Sequence, residues 1–159
     1  MFAMEKYDWS IWKGKEKFAL QVNYDRSFEY SISAGCYDYI NTDIAKANFQ
    51  PVESERGRKR KVFSLYHFFG EGIGLDEVVG EIQGDGFYPA TPRELLALGE
   101  NCPELQREFS IVALGSVCFN SDGYRFVAQL WGDSEKRGLD LAWYDGNWFG
   151  RCYFLGVRK

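Results

Sequence analysis

The chain has 159 residues, is 45% apolar and 18% aromatic, and carries a net charge of −4. That length suits one domain, and that apolar share suffices for one core. The acidic balance argues against a dedicated nucleic-acid binder. No stretch nears the run of about 18 apolar residues that a membrane helix needs, and Met1–Asp8 lacks a signal-peptide apolar core, so a cytoplasmic protein is expected.

From the start, residues 1–16 are polar and aromatic without a period, and are expected to form an irregular arm or edge strand. Phe18, Leu20, Val22 and Tyr24 alternate with polar or small residues, which predicts a strand. Asp25 or Ser27 then caps a short helix through Ala34, stopped by Gly35. Asn41-Thr42-Asp43 caps a second short turn through Asn48, and Pro51 ends it. The basic run Arg56-Gly57-Arg58-Lys59-Arg60-Lys61 reads as a solvated hairpin or strand entry; a phosphate-contacting patch is the sharper alternative. It leads into a β-rich stretch to Phe69, which Gly70, Gly72 and Gly74 break. Those glycines lack both a complete G-x-G-x-x-G and a Gly-Lys-Ser/Thr ending, so they predict a plain turn.

Leu75, Val78, Val79 and Ile82 share one face of a helix. Thr91, Pro92 and Glu94 form a capping box with a preset first turn, and Gly99 is expected as the left-handed residue that stops this helix. Leu95, Leu96 and Leu98 give its buried side, and Pro103 opens another short turn to about Glu108. Ile111–Val117 reads as a central strand, Asn120-Ser121-Asp122-Gly123 as a turn, and Tyr124–Trp131 as a strand with Phe126, Ala128 and Leu130 on one side. Leu139, Leu141 and Trp143 are expected to bury one face of the next strand, ahead of a hairpin turn at Asp145-Gly146. Tyr153–Arg158 closes the chain. Helices first and strands last, joined by hairpins, predict an α+β domain with an antiparallel sheet.

Cys36, Cys102, Cys118 and Cys152 are far apart, and His67 is the lone histidine. A zinc site would show close paired ligands, so these cysteines read as free thiols, and neither metal nor cofactor is expected. No local feature supports a Cys–His nucleophile pair, and the chain is not expected to be an enzyme.

Gly86-Phe87-Tyr88-Pro89-Ala90-Thr91-Pro92-Arg93-Glu94-Leu95-Leu96 is similar to the G-x-R-x-P-T-x-x-E helix start of C-type-lectin-like domains, and formylglycine-generating-enzyme-like domains carry a related segment. Trp143, Trp148 and the ending Phe154-Leu155-Gly156-Val157-Arg158-Lys159 resemble the last residues of target proteins of diversity-generating retroelements, with Gly156 in place of alanine. The resemblance covers about residues 84–159, so the single domain 1–159 divides into an N-terminal αβ portion, 1–83, and a C-type-lectin-like portion, 84–159. It implies a scaffold whose last strands display varied residues to a ligand. The chain departs from sugar-binding lectins in lacking their calcium motifs, and from the formylglycine-generating enzymes in lacking their cysteine pair.

The residues support a binding surface independently. Strand alternation places Asp140, Ala142 and Tyr144 opposite Leu139, Leu141 and Trp143, and Asp145, Asn147, Phe149, Arg151 and Tyr153 follow. Rigid rings among small and polar residues are the chemistry of a paratope. No Lys, Glu, Gln or Met occurs from Gly138 to Arg158, and those four residues are unreachable by randomising adenines of Asn codons. The expected function is a ligand-binding module with these eight residues as its site, taking a protein or other macromolecular ligand. The alternative is a small interaction protein or inhibitor with one fixed protein partner.

Overall fold

The computed structural model describes residues 17–46, 49, 55–68, 74–145, 148 and 152–158. Among them, eight strands form one sheet: β1 (Lys17–Asn23), β2 (Tyr39–Ile40), β3 (Arg58–His67), β4 (Phe87–Pro89), β5 (Ser110–Phe119), β6 (Arg125–Gly132), β7 (Arg137–Trp143) and β8 (Cys152–Arg158). Five helices accompany them: α1 (Phe28–Ala34), α2 (Thr42–Lys46), α3 (Leu75–Gly84), α4 (Pro92–Asn101) and α5 (Leu105–Glu108). Residues 1–16 and Asn48 lie outside the described residues.

The α+β class stands, but the sheet is mixed rather than antiparallel. Its order is β1-β3-β8-β5-β6-β7-β2, with β4 added along β8. The closing strand enters the middle of the sheet, antiparallel to β3 and parallel to β5, and the short β2 runs parallel to β7. Hairpins make sequence neighbours antiparallel, but β8 and β2 pair with strands far away in the chain, where no turn sets the direction. Helices do not precede strands either. β1 and β3 both lie in the N-terminal portion, and they belong to the same sheet as the C-terminal strands.

Both faces of the sheet are covered. On one, Phe63, Leu65, Ile111, Leu130, Leu139 and Leu155 meet Ile32 of α1, Ile44 of α2, the leucines of α4 and Leu105 of α5. On the other, Tyr66, Val112, Val127 and Phe154 meet Val78 and Ile82 of α3, with Phe87 and Trp148. β6 therefore buries Val127 as fully as its expected inner residues Ala128 and Leu130. Burying these side chains stabilises the fold by about 1.5–3 kcal/mol each.

The capping box of α4 forms as expected. The Thr91 hydroxyl accepts from the Glu94 N–H at 3.4 Å, and the Glu94 carboxylate accepts from the Thr91 N–H at 2.9 Å. Ser27 caps α1 by accepting from the Tyr30 N–H. Gly99, however, does not stop α4, which continues to Asn101 with the Cys102 N–H bonded to Leu98 O. Its role is to clear space. A Cβ there would overlap the Tyr37 hydroxyl and come within 3.0 Å of ring atom Cζ, and a Cβ at Gly35 would overlap the same ring. Gly35 is right-handed, and the left-handed residue after α1 is Cys36, at φ 52°.

Arg137, 5% exposed, fills the junction below that ring. Its guanidinium lies 4.9 Å from the Tyr37 ring and donates to Gly35 O (2.6 Å), Gly99 O (2.7 Å) and Gln106 Oε1 (2.9 Å). Neither α1 nor α4 has a basic residue in its last turn. One cation from β7 thus sits at the negative ends of two helices, where a positive charge is favourable. Burial lowers its pKa.

Candidate functional site

Of the eight expected site residues, the five described do not form one surface. Asn147, Phe149 and Arg151 lie outside the described residues. Asp140 is tied down, accepting from the Asn41 side-chain N–H and the Leu141 backbone N–H at 2.8 Å each. Ala142 and Tyr144, expected on an exposed face, pack partly against the α3-side core. Tyr153 is on the opposite face, stacked on His67 at 4.4 Å and against Phe109 at 4.3 Å. Trp143 reverses its expectation and is 51% exposed. Alternation tells which way a side chain points but not where the covering layer ends, and Trp143 is the last residue of β7.

What the structure does bring together is the end of β5, β6 and β7. Phe119 is 68% exposed, Tyr124 53%, and Tyr124 meets the Trp143 ring edge-on at 6.0 Å. Phe119 stands opposite Arg125, and the Tyr144 N–H bonds to Arg125 O, so Phe119, Arg125 and Tyr144 make one row across the sheet. An irregularity in β5 creates that row: Ala113 pairs with Ala128 but Cys118 with Phe126, so five steps on β5 match two on β6. Three residues are extra, an odd number, which turns the following side chains to the other face. Gly115 lies in that stretch, donating its N–H to Ala90 O at 2.7 Å; a Cβ there would be 2.5 Å from the carbonyl oxygens of Pro89 and Ala90.

Beside the row is a cleft of about 420 Å³, lined by Gly74, Leu75, Asp76, Arg125, Tyr144, Asp145 and Trp148. The Arg125 guanidinium is 4.4 Å from the Tyr144 ring and ion-paired with Asp145, whose hydrogen bond raises its pKa. The Trp148 indole N–H donates to Tyr144 O at 3.1 Å, and its ring meets Phe154 edge-on. Of this group, Tyr144 and Asp145 were expected from sequence, while Phe119, Tyr124 and Arg125 were not. The aromatics on either side of the Asn120–Gly123 turn were the available signal.

A second polar cluster lies under α4. Glu94, 1% exposed, accepts from the hydroxyls of Tyr24 (2.6 Å) and Tyr88 (2.9 Å) as well as from the Thr91 N–H. Burial first, and the Glu94 charge second, raise both tyrosine pKa values well above the ordinary range, so both remain donors. Lys59 and Lys61 lie over the Tyr24 and Tyr88 rings at 5.9 and 5.5 Å, within the strand that the basic run was expected to enter. Burial also raises the Glu55 carboxyl, with Glu94 adding to it against Thr91 and Arg93. Every oxygen of Glu94 is engaged inside the fold, so this cluster reads as an anchor of α4 to the ends of β1 and β4.

Among the described residues, no group of three or more His, Cys, Asp or Glu could hold a metal ion, and no helix is long and apolar enough to cross a membrane. Comparison with protein-family models, curated proteins and solved structures finds no match. The strand end therefore has to be read from its own chemistry: rings, a cation and carboxylates suited to non-covalent recognition.

Proposed function

We propose that the chain is a binding module that recognises one fixed protein partner through the aromatic end of β5, β6 and β7. The observation that carries this reading is the exposure of Tyr124 and Trp143 in edge-on contact, with Phe119 exposed at the same strand end on the other face of the sheet. Leaving such rings in water forgoes about 1.5–3 kcal/mol each that burial would supply, and clustered exposed rings mark interaction surfaces. The resemblance to C-type-lectin-like domains supports the same class of function, display of a surface by the last strands. A retroelement-diversified surface needs positions that accept substitution freely. Ala142 and Tyr144 are packed and Asp140 is hydrogen-bonded, which favours a fixed partner.

Selection of a randomised phage-displayed peptide library on the immobilised chain tests the proposal. Enriched peptides should bind the triple variant Phe119→Ser, Tyr124→Ser, Trp143→Ser at least about thirtyfold more weakly, the effect of losing one interface hot spot. Peptides that bind both proteins equally overturn it.

A further inference from the structure

Resting on that reading of the aromatic strand end, we infer that the partner presents lysine and arginine side chains to it. The charges around the rings choose the partner's sign. α3 and the residue after it carry Asp76, Glu77, Glu81 and Asp85, all exposed, and no basic residue. None of the four has an ion-pair partner among the described residues. Asp76 and Glu77 suit a helix N-terminus, but Glu81 does not suit the later turns, and it stands four residues from Glu77, a spacing at which like charges repel. α3 is held by Val78 and Ile82, and by the Tyr66 hydroxyl donating to Asp85 at 2.9 Å, so Asp76, Glu77 and Glu81 add little to its stability. The cleft joins the start of α3 to the row that ends in Phe119, because Asp76 lines it together with Arg125, Tyr144 and Asp145. Exposed Asp122 lies in the turn between Phe119 and Tyr124.

Arg125 already displays the binding mode. Its guanidinium lies over Tyr144 and is held by Asp145, a ring and a carboxylate acting on one cation. On this face Phe119 offers a further ring, and Asp76 and Glu77 further carboxylates, to cations from outside; Tyr124 and Trp143 add two rings round the strand end on the other face, with Asp122 in the turn between. A basic segment gains both attractions; a neutral or acidic one gains only ring contact or meets repulsion.

The displayed peptide library is again the probe, now scored for charge. Peptides enriched on the wild-type chain should exceed the input library in lysine and arginine, and their affinity should fall as salt is raised. The variant Asp76→Asn, Glu77→Gln, Glu81→Gln should bind them about tenfold more weakly, the sum of several exposed charge pairs. It should melt close to wild type, because the loss at the helix N-terminus is offset by relief of the Glu77–Glu81 repulsion. Enriched peptides without a basic excess, or unchanged binding by this variant, overturn the inference. The aromatic site then stands as long as the ring variant loses binding. If the ring variant keeps binding, the site falls and this inference with it. A dimer in sedimentation without peptide, dissociated by the ring substitutions, replaces the basic partner with a second copy of the chain and also overturns the inference.

Discussion

Arg137→Met keeps most of an aliphatic stem at the junction of α1, α4, α5 and β7 while removing the guanidinium. Three acceptors lose their donor: Gly35 O, Gly99 O and Gln106 Oε1. Hydrogen bonds from a charged donor contribute about 1.5–3 kcal/mol each. Against that, the wild type keeps a cation out of water, with Nε buried and unpartnered. Replacing a buried charge together with its partners can be neutral, but here the carbonyls stay behind, and the expected net loss is about 3–5 kcal/mol. For a domain of this size that corresponds to a Tm lower by about 10 °C. Urea unfolding followed by tryptophan fluorescence measures it, with a shifted midpoint and an unchanged slope. Arg137→Lys should fall between the two, since an ammonium is a point charge without the fork that reaches both helix ends. A loss under about 1 kcal/mol for methionine, in the range of ordinary substitutions, or lysine equal to arginine, refutes the two-helix clamp.

Three further outcomes concern Gly99, Glu55 and the cysteines. Gly99→Ala would ordinarily gain about 1 kcal/mol inside a helix, but overlap with Tyr37 should turn this into a loss of about 1–3 kcal/mol. Adding Tyr37→Phe removes a buried hydroxyl without a partner and should recover part of the loss; a Gly99→Ala protein that melts higher than wild type rejects this. Glu55 has a raised pKa when folded, so the folded state holds its proton more tightly than the unfolded state. Wild-type stability should therefore fall as pH rises from the ordinary glutamate value of about 4.3 through the raised one. Glu55→Gln should remove this fall and be the more stable protein at neutral pH, and parallel stability–pH curves would contradict it. Burial pushes the Cys102 thiol up to about 12, whereas Cys36 is exposed. Alkylation of the native protein near neutral pH should label Cys36 well before Cys102, and equal labelling by mass spectrometry would count against the buried placement.

Much of the local structure was legible because its causes lie within a few residues. Ser27 caps α1, Thr91 and Glu94 cap α4, Val78 and Ile82 face the core from α3, and Gly123 takes a positive φ in the Asn120–Gly123 turn. The candidate site was only half legible. Tyr144 and Asp145 could be placed near a strand end by alternation, but Phe119 reaches the same row only through the irregularity between Ala113 and Cys118. Tyr153 was grouped with them by sequence proximity, yet β8 lies on the far side of β5 from β7 and turns Tyr153 to the other face.

The sequence by itself determined the α+β class, the caps and turns, and the apolar faces of single elements, since these depend on the intrinsic geometry of helix and strand. Only the tertiary structure decided which strands became neighbours, that both faces of the sheet are covered, and that the covering stops short of Trp143. These depend on pairings such as Phe63 with Val157, which no local period encodes. Gly99 shows the division within one residue. Its identity marks a special position, but the reason lies in Tyr37 and Arg137, brought to it from other elements by the fold.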